Sequence, residues 1–352
     1  MRKTMRERES QTIVQRNALF DNFRGVLVFL FVMLAILGTI YRSDVPDWIF
    51  SHAMGRPMGP FGSPFTPVDL GMIFFYFVGG MTAVPAFRKR AAAHGKPAAF
   101  KHLLVRNAAL VGIGAIMYLV AGIATKNQNP SAWGPLHSIG FTGLLTMFFL
   151  QFKPAVRGVS GVAFIAVHDI FSKEIYTYLC TPNFSSDGGF AVCVAYAGFF
   201  LITTVLFDLY KKGFAYFLLG LLPIVVYTVV IYGIIPPTYQ PYNSTFFAVT
   251  YSVVALLFAV FRAAGEGITR LTEKILKRKT SGSIPLIGRM GRNLLFYFII
   301  RYPVAVLFST LYSALFVKAG AAAGGIIVTV LSVAMFCGIE ALFKKKGIVV
   351  KL

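Results

Sequence analysis

Residues 68–106 read VDLGMIFFYFVGGMTAVPAFRKRAAAHGKPAAFKHLLVR, which is an apolar run followed by a short basic loop. The apolar part is close to the roughly 20 residues that a helix needs to cross a membrane. The loop at 87–106 carries six Lys/Arg and no acidic residue. Because loops of this composition stay on the cytoplasmic side, the stretch predicts a spanning helix whose C-terminal end faces the cytoplasm.

The composition of the whole chain places it in lipid. Hydrophobic residues make up 57% of the 352 residues, charged residues only 13%, and the mean hydropathy is +0.70. A soluble domain of this size needs more polar surface. The net charge of +21 would suggest nucleic acid in a soluble protein, but here the positive charges lie between apolar runs. This pattern is typical of loops beside an anionic leaflet, so we predict membrane lipids and no nucleic acid as partners.

The apolar runs predict an all-α, polytopic integral membrane helix bundle of about ten transmembrane helices. The fifth run is the weakest, and full and partial spans are both open for it. The predicted helices occupy approximately residues 25–41, 68–86, 103–124, 136–152, 157–171, 189–209, 214–235, 245–261, 286–317 and 324–343.

The polar segments divide the chain around one transmembrane domain at 24–343. Residues 1–23 form a basic arm and residues 344–352 a basic tail, and both are predicted to be cytoplasmic. In the most basic loop, apolar residues recur at helical spacing over about 263–284, which predicts an amphipathic helix on the cytoplasmic membrane surface. The cysteines, at 180, 193 and 337, are too widely spaced to suggest a disulfide framework or a CxxC metal site.

The charge distribution predicts the orientation. With both termini inside, 28 of the 34 Lys/Arg fall in cytoplasmic segments, five fall outside, and Arg301 lies within the ninth predicted helix. The opposite orientation would place those 28 positive charges outside. We therefore predict both termini in the cytoplasm, and we expect a bacterial plasma membrane.

Ionisable side chains in or near the spans are the candidates for function, since they are costly in lipid. Five of them belong to predicted external helix ends, and two lie toward the cytoplasmic half. The external group is His52, Asp69, His137, His168 and Asp169, and the other two are Arg301 and Glu340.

A histidine beside a carboxylate suits general-base chemistry, so His52, Asp69 and His137 are the catalytic candidates. Each also has a structural interpretation: His52 as a solvated loop residue, Asp69 as a helix-start aspartate, and His137 as an interfacial residue beside Trp133. A zinc site from His52, His137 and His168 lacks any recognisable ligand spacing, so we predict no metal.

Several segments resemble the transmembrane acyltransferase family typified by heparan-alpha-glucosaminide N-acetyltransferase and its bacterial relatives. FDNFRGVLVFL at 20–30 resembles the family's D-x-x-R-G opening of helix 1, and His52, Thr66 and Asp69 follow in the family's order before a phenylalanine-rich helix. The other similar segments are HLLVRNAALVGIG at 102–114, WGPLHSIGFTGLL at 133–145 and IGRMGRNLLFYFIIRYP at 287–303, the last resembling the late G-R-N segment.

The resemblance implies transfer of an acetyl or other acyl group from cytosolic acyl-coenzyme A to an extracytoplasmic sugar hydroxyl or amine. The acceptor would be a glycan or a lipid-linked sugar, and a homo-oligomer is possible. A polyanionic donor needs cations at the cytoplasmic face. Arg301 follows Arg292 by nine residues and would lie about 13 Å deeper along an unbroken helix. The donor-binding candidates are Arg88, Arg106, Arg289, Arg292 and Arg301.

A second interpretation stays open. A secondary transporter or flippase-like protein would use the same histidine and aspartate residues to couple proton movement to solute movement.

Overall fold

Helices are the regular elements of the residues that the structure describes. A computed structural model describes residues 18–40, 66–125, 133–179, 189–237, 243–276, 285–316 and 321–348. The helices in these ranges are α1 Ala18–Ile40, α2 Leu70–His94, α3 Lys96–Thr125, α4 Pro135–Thr146, α5 Pro154–Leu179, α6 Gly189–Lys212, α7 Phe214–Ile234, α8 Ser244–Leu276, α9 Pro285–Arg292, α10 Leu294–Leu311 and α11 Ala321–Lys346. Short 3-10 turns at Pro67–Asp69 and Met147–Gln151 and a π turn at Tyr312–Phe316 adjoin α2, α4 and α10.

Most of these helices fit a membrane. Eight helices in the described ranges are long and apolar enough to cross one, and a ninth span results if the bent pair Leu294–Arg301 and Pro303–Ala314 counts as one. The predicted helical membrane protein is therefore confirmed. The weakest predicted segment lies in α5, whose part Pro154–Phe171 qualifies as a span with a hydropathy of 1.2.

The predicted count of ten depends on α4. Its 12 residues extend about 18 Å, which is short of the roughly 30 Å hydrocarbon core. The 3-10 turn Met147–Gln151 lengthens it. The count of ten, the cytoplasmic termini and the bacterial membrane stay predictions.

The chain forms two compact units. The first comprises Met1–Val45 and Phe258–Leu352, and the second comprises Pro46–Leu257. The single domain at 24–343 stays a prediction. The described part of the amphipathic segment at 263–284 continues α8 without a break as far as Leu276.

In the first unit, α1 and α9 cross at very short range. A Cβ atom on Gly25 would lie 1.8 Å from the carbonyl oxygen of Ile287, and one on Gly291 would lie 1.9 Å from the carbonyl oxygen of Asp21. Only glycine fits at such a crossing, as is common where membrane helices approach closely. The crossing brings the D-x-x-R-G segment of α1 against the G-R-N segment of α9.

In the second unit, α6 lies at the centre. The most apolar window of α6 is 72% buried, whereas those of α3, α5 and α7 are each 17% buried and expose apolar side chains. Gly198 of α6 and Gly161 of α5 meet closely, since a Cβ on Gly198 would lie 2.6 Å from the Gly161 carbonyl oxygen. Toward one end of this helix pair, Arg157 donates to Asp208.

Candidate functional site

A basic cavity of about 200 Å³ lies in the first unit, where α9 packs beside the end of α11. It is lined by Arg289, Arg292, Asn293, Glu340, Phe343, Lys344, Gly347 and Ile348. Two of the five arginines predicted to bind the donor, Arg289 and Arg292, are thus brought together.

The end of α9 presents the two arginines. Arg289 and Arg292 occupy its last turn, where the helix dipole favours cations. Residues three apart lie on one face of a helix, so both side chains reach the same cavity. The helix stops because Asn293 leaves helical geometry, with φ −106° and ψ 28°. The backbone N–H of Asn293 still donates to the carbonyl of Arg289, at 3.1 Å.

The end of α11 forms the opposite wall. Gly347 has a φ of 63°, which favours glycine. Its amide donates to the carbonyl of Lys344 at 3.3 Å, and the amide of Ile348 donates to the carbonyl of Phe343 at 2.9 Å. This pair of bonds is a Schellman motif, which satisfies carbonyls at a helix end. The motif turns the chain so that Gly347 and Ile348 complete the cavity wall.

Glu340 is the counter-ion inside this wall. Its side chain is 0% exposed, and its Oε2 lies 3.4 Å from Nε of Arg289. The hydroxyl of Tyr297 donates to Oε1 at 2.8 Å, and the side-chain amide Nδ2 of Asn293 donates to Oε1 at 3.4 Å. A buried carboxylate is stable only with such partners. The sequence marked Glu340 as a candidate for function, but its partners lie 43–51 residues away and no local pattern indicates them.

The lining of the cavity carries a net positive charge. Arg289, Arg292 and Lys344 contribute three positive charges and Glu340 one negative charge, which leaves two positive charges. Guanidinium groups bind phosphate oxygens with paired, charge-assisted hydrogen bonds. The cavity is therefore suited to a phosphate group.

The other three predicted donor-binding arginines lie elsewhere. The guanidinium of Arg301 lies 4.0 Å from the ring centroid of Phe298, at the 50° bend of α10. Its predicted depth of 13 Å assumed one unbroken helix, and the interruption at Asn293 makes that assumption wrong. Arg88 and Arg106 belong to the second unit, where their side chains are exposed.

In the second unit, Asp69 forms hydrogen bonds with Thr66 at the start of the 3-10 turn that leads into α2. The amide of Thr66 donates to Oδ2 of Asp69 at 2.8 Å, and the Thr66 hydroxyl donates to the same oxygen at 3.1 Å. In return, the amide of Asp69 donates to the Thr66 carbonyl at 3.1 Å. These bonds satisfy polar groups at a helix start. The helix-start interpretation of Asp69 therefore has a structural basis, and its catalytic role stays a prediction.

His137 is held in a similar way at the start of α4. Its Nδ1 accepts the amide hydrogen of Gly134 at 3.2 Å, which assigns the proton of the neutral ring to Nε2. Trp133 stacks on the ring at 5.3 Å with an interplanar angle of 25°, and Tyr118 lies at 5.8 Å. A Cβ on Gly114 would come 2.8 Å from Nδ1. The ring is thus fixed in one orientation.

His168 is a buried histidine of α5 that the sequence does not single out among the ionisable candidates. It is 0% exposed, its Nδ1 lies 3.4 Å from Oδ1 of Asp169, and Phe247 meets it edge-on at 5.4 Å. Within the described part of the chain, Nε2 has no hydrogen-bond partner. A signal was available, because Arg157, Gly161 and His168 are spaced by four and seven residues and share one helix face, which is the buried one.

Residues Cys193 and Tyr196 of α6 contact the helices α2, α4 and α8. Tyr196 stacks on Tyr76 of α2 at 4.2 Å and meets Phe247, the neighbour of His168, at 5.2 Å. One turn earlier, the Sγ of Cys193 lies 3.9 Å from the carbonyl oxygen of Ser138 in α4. The helix ends predicted to be external therefore pack around the first half of α6.

His52 lies outside the described residues. Among the residues that the structure does describe, no group of three or more His, Cys, Asp or Glu could hold a metal ion.

Comparisons of this chain with protein-family models and with curated proteins give no match. The acyltransferase resemblance therefore rests on the quoted motifs alone.

Proposed function

We propose that this integral membrane protein is an acyltransferase that moves an acetyl or other acyl group from acyl-coenzyme A to a hydroxyl or amine of an extracytoplasmic sugar. The observation that carries the proposal is the basic cavity at Arg289 and Arg292. It is built from the segment that resembles the family's G-R-N motif.

The position of the cavity supports this donor. Coenzyme A carries several phosphate charges and is a cytosolic molecule. The cavity lies between the last turn of α9 and the last turn of α11, which carries Lys344, Lys345 and Lys346. Both segments are predicted to be cytoplasmic because of their positive charges.

The contact between α1 and α9 supports the resemblance. The two family-like segments, at 20–30 and 287–303, are far apart in the chain. They meet at Gly25 and Gly291, where a side chain on either residue would collide with backbone atoms. A shared packing constraint gives a physical reason for both glycines.

The reaction requires a base on the acceptor side. The acceptor oxygen or nitrogen attacks the thioester carbonyl carbon, and the new C–O or C–N bond forms as the C–S bond breaks. The base takes the proton of the acceptor and passes it to the departing thiolate, which leaves as the free thiol. His168 is a candidate for this base, because its buried Nε2 has no hydrogen-bond partner within the described part of the chain and Asp169 can stabilise its cation. His52, Asp69 and His137 stay candidates in the same role.

A transfer assay tests the proposal. The purified protein in vesicles receives acetyl-coenzyme A with a radiolabelled acetyl group, together with a panel of oligosaccharides and lipid-linked sugars. We expect free thiol to appear together with labelled acceptor, and we expect Arg292→Gln to reduce both. Lys89→Gln is the matched control, since Lys89 is an exposed cation of the second unit. An absence of thiol release with every acceptor would refute the proposal.

The bent helix favours a transporter as the second candidate. The parts Leu294–Arg301 and Pro303–Ala314 meet at 50°, and interrupted helices line the substrate sites of many transporters. Proton-driven uptake of a solute into vesicles, without release of thiol, would favour this alternative.

A further inference from the structure

The cavity between α9 and α11 is too small for a whole coenzyme A. Pockets that enclose drug-sized ligands have volumes of about 300–1,000 Å³, whereas this cavity has about 200 Å³. It therefore encloses one part of a larger ligand, or a small ligand.

The charges of the lining indicate which part. Arg289, Arg292 and Lys344 together with Glu340 leave two positive charges. A phosphomonoester carries about 1.5 to 2 negative charges at pH 7 and three acceptor oxygens. Each phosphate of a diester or of a bridging diphosphate carries one negative charge. A phosphomonoester thus matches the cavity in both charge and size.

Glu340 orients the side chain of Arg289, which is one of the cations that line the cavity. Nε of Arg289 lies 3.4 Å from the buried carboxylate without a hydrogen bond between them, so charge attraction holds the pair and the guanidinium can still donate hydrogen bonds to a ligand. Tyr297 and Asn293 hold the carboxylate from the opposite oxygen. Glu340 is therefore a positioning residue, since it orders Arg289 before a ligand arrives.

The remaining lining suits a group attached to the phosphate. Phe343 and Ile348 give the cavity an apolar side, against which a sugar or base ring can pack.

We propose that this cavity is a phosphomonoester site with Arg289, Arg292 and Lys344 as its ligands. Resting on the proposed function, the ligand is the 3′-phosphate of coenzyme A, which is the only phosphomonoester in that molecule. The diphosphate and the thioester arm would then lie outside the cavity.

The test compares coenzyme A with 3′-dephospho-coenzyme A by calorimetry on the purified full chain. We expect the wild type to bind the dephospho form at least about tenfold more weakly, since it loses charge-assisted hydrogen bonds. Arg292→Gln should weaken binding of coenzyme A and bring the ratio of the two affinities close to one. Glu340→Gln should reduce the ratio less, and Lys89→Gln should leave it unchanged. Because the comparison of the two coenzymes uses the wild type, its result does not depend on whether any variant folds.

The outcomes separate this inference from the proposed function. Equal wild-type affinities for the two coenzymes overturn the phosphomonoester assignment, even if acyl transfer proceeds. If coenzyme A fails to bind, but 3′-AMP or phosphatidate in nanodiscs binds and this binding depends on Arg292, the phosphomonoester site is supported and the proposed donor is wrong. Binding of 3′-AMP would then indicate a soluble phosphate as the ligand, and binding of phosphatidate would indicate a lipid headgroup. Failure of all these phosphomonoesters to bind overturns the inference.

Discussion

Gly25 of α1 and Gly291 of α9 are in direct contact, so that a Cβ atom added to Gly291 would lie 2.8 Å from the backbone nitrogen of Gly25. The same Cβ would lie 1.9 Å from the carbonyl oxygen of Asp21. These neighbours are backbone atoms, which cannot rotate away. The position of Arg289 and Arg292, on either side of Gly291, therefore depends on the closeness of this crossing.

We predict that Gly291→Ala destabilises the protein because α9 must move away from α1. Overpacking in a close-packed interior costs about 1–3 kcal/mol, and more where backbone has to shift. Gly338→Ala is the matched control, because nothing lies within 4 Å of its added Cβ in α11, and alanine favours a helix over glycine. Thermal unfolding in detergent should show a lower midpoint for the first variant and an unchanged or higher one for the second. Equal midpoints would contradict the close crossing.

The sequence predicts the helices better than the site. Long apolar runs and basic loops mark nearly every described helix, because burial in lipid demands about 20 apolar residues in a row. The break at Asn293 gives no such signal, since asparagine can lie inside or between helices. The partners of Glu340 are also hidden, because Tyr297 comes from a different helix and only tertiary packing joins them. The sequence shows the charge of the predicted arginines, but it does not show which of them share a cavity.

The pair Arg157 and Asp208 predicts that the second unit is destabilised when only one of the two charges is removed. Arg157 is 0% exposed, and its Nε also donates to the carbonyl of Phe152 at 3.2 Å. Removing one partner of a buried pair costs about 3–5 kcal/mol, because the other charge is left behind. We therefore expect Arg157→Met to lower the unfolding midpoint strongly. Lys153→Met, which changes an exposed cation just before the same helix, should have little effect.

The double variant Arg157→Met with Asp208→Asn checks that explanation. Since both charges are then absent, it should be more stable than Arg157→Met alone. A double variant that is less stable than the single one would show that Asp208 stabilises the protein through contacts other than the one with Arg157.

The network around Glu340 predicts an energetic coupling with Tyr297. Tyr297→Phe removes the hydroxyl that donates to Oε1 at 2.8 Å, and Glu340→Gln removes the charge but keeps the shape of the side chain. Residues that share a hydrogen bond typically couple by about 0.5–3 kcal/mol. Chemical unfolding of the wild type, both single variants and the double variant measures this coupling. Additive effects would mean that the hydrogen bond contributes nothing.

His168 is a candidate for the base that takes the proton of the acceptor. If His168 takes the proton of the acceptor, His168→Gln should lower the rate of acyl transfer by about 10²–10⁴-fold without changing the affinity for coenzyme A. His137→Gln should keep much of the activity, because the glutamine oxygen can still accept the amide hydrogen of Gly134 that Nδ1 accepts now. His52→Gln, measured in the same assay, tests the sequence-based candidate.

The relative losses of acyl-transfer activity in the three histidine variants identify the base. A large loss for His52→Gln with near wild-type activity for His168→Gln would assign the proton transfer to His52 and leave His168 as a buried packing residue. A loss of 3′-AMP affinity in His168→Gln would instead indicate a structural defect, since the cavity that would bind this ligand is built from first-unit residues alone. The separation of binding from turnover therefore decides whether His168 acts on the acceptor.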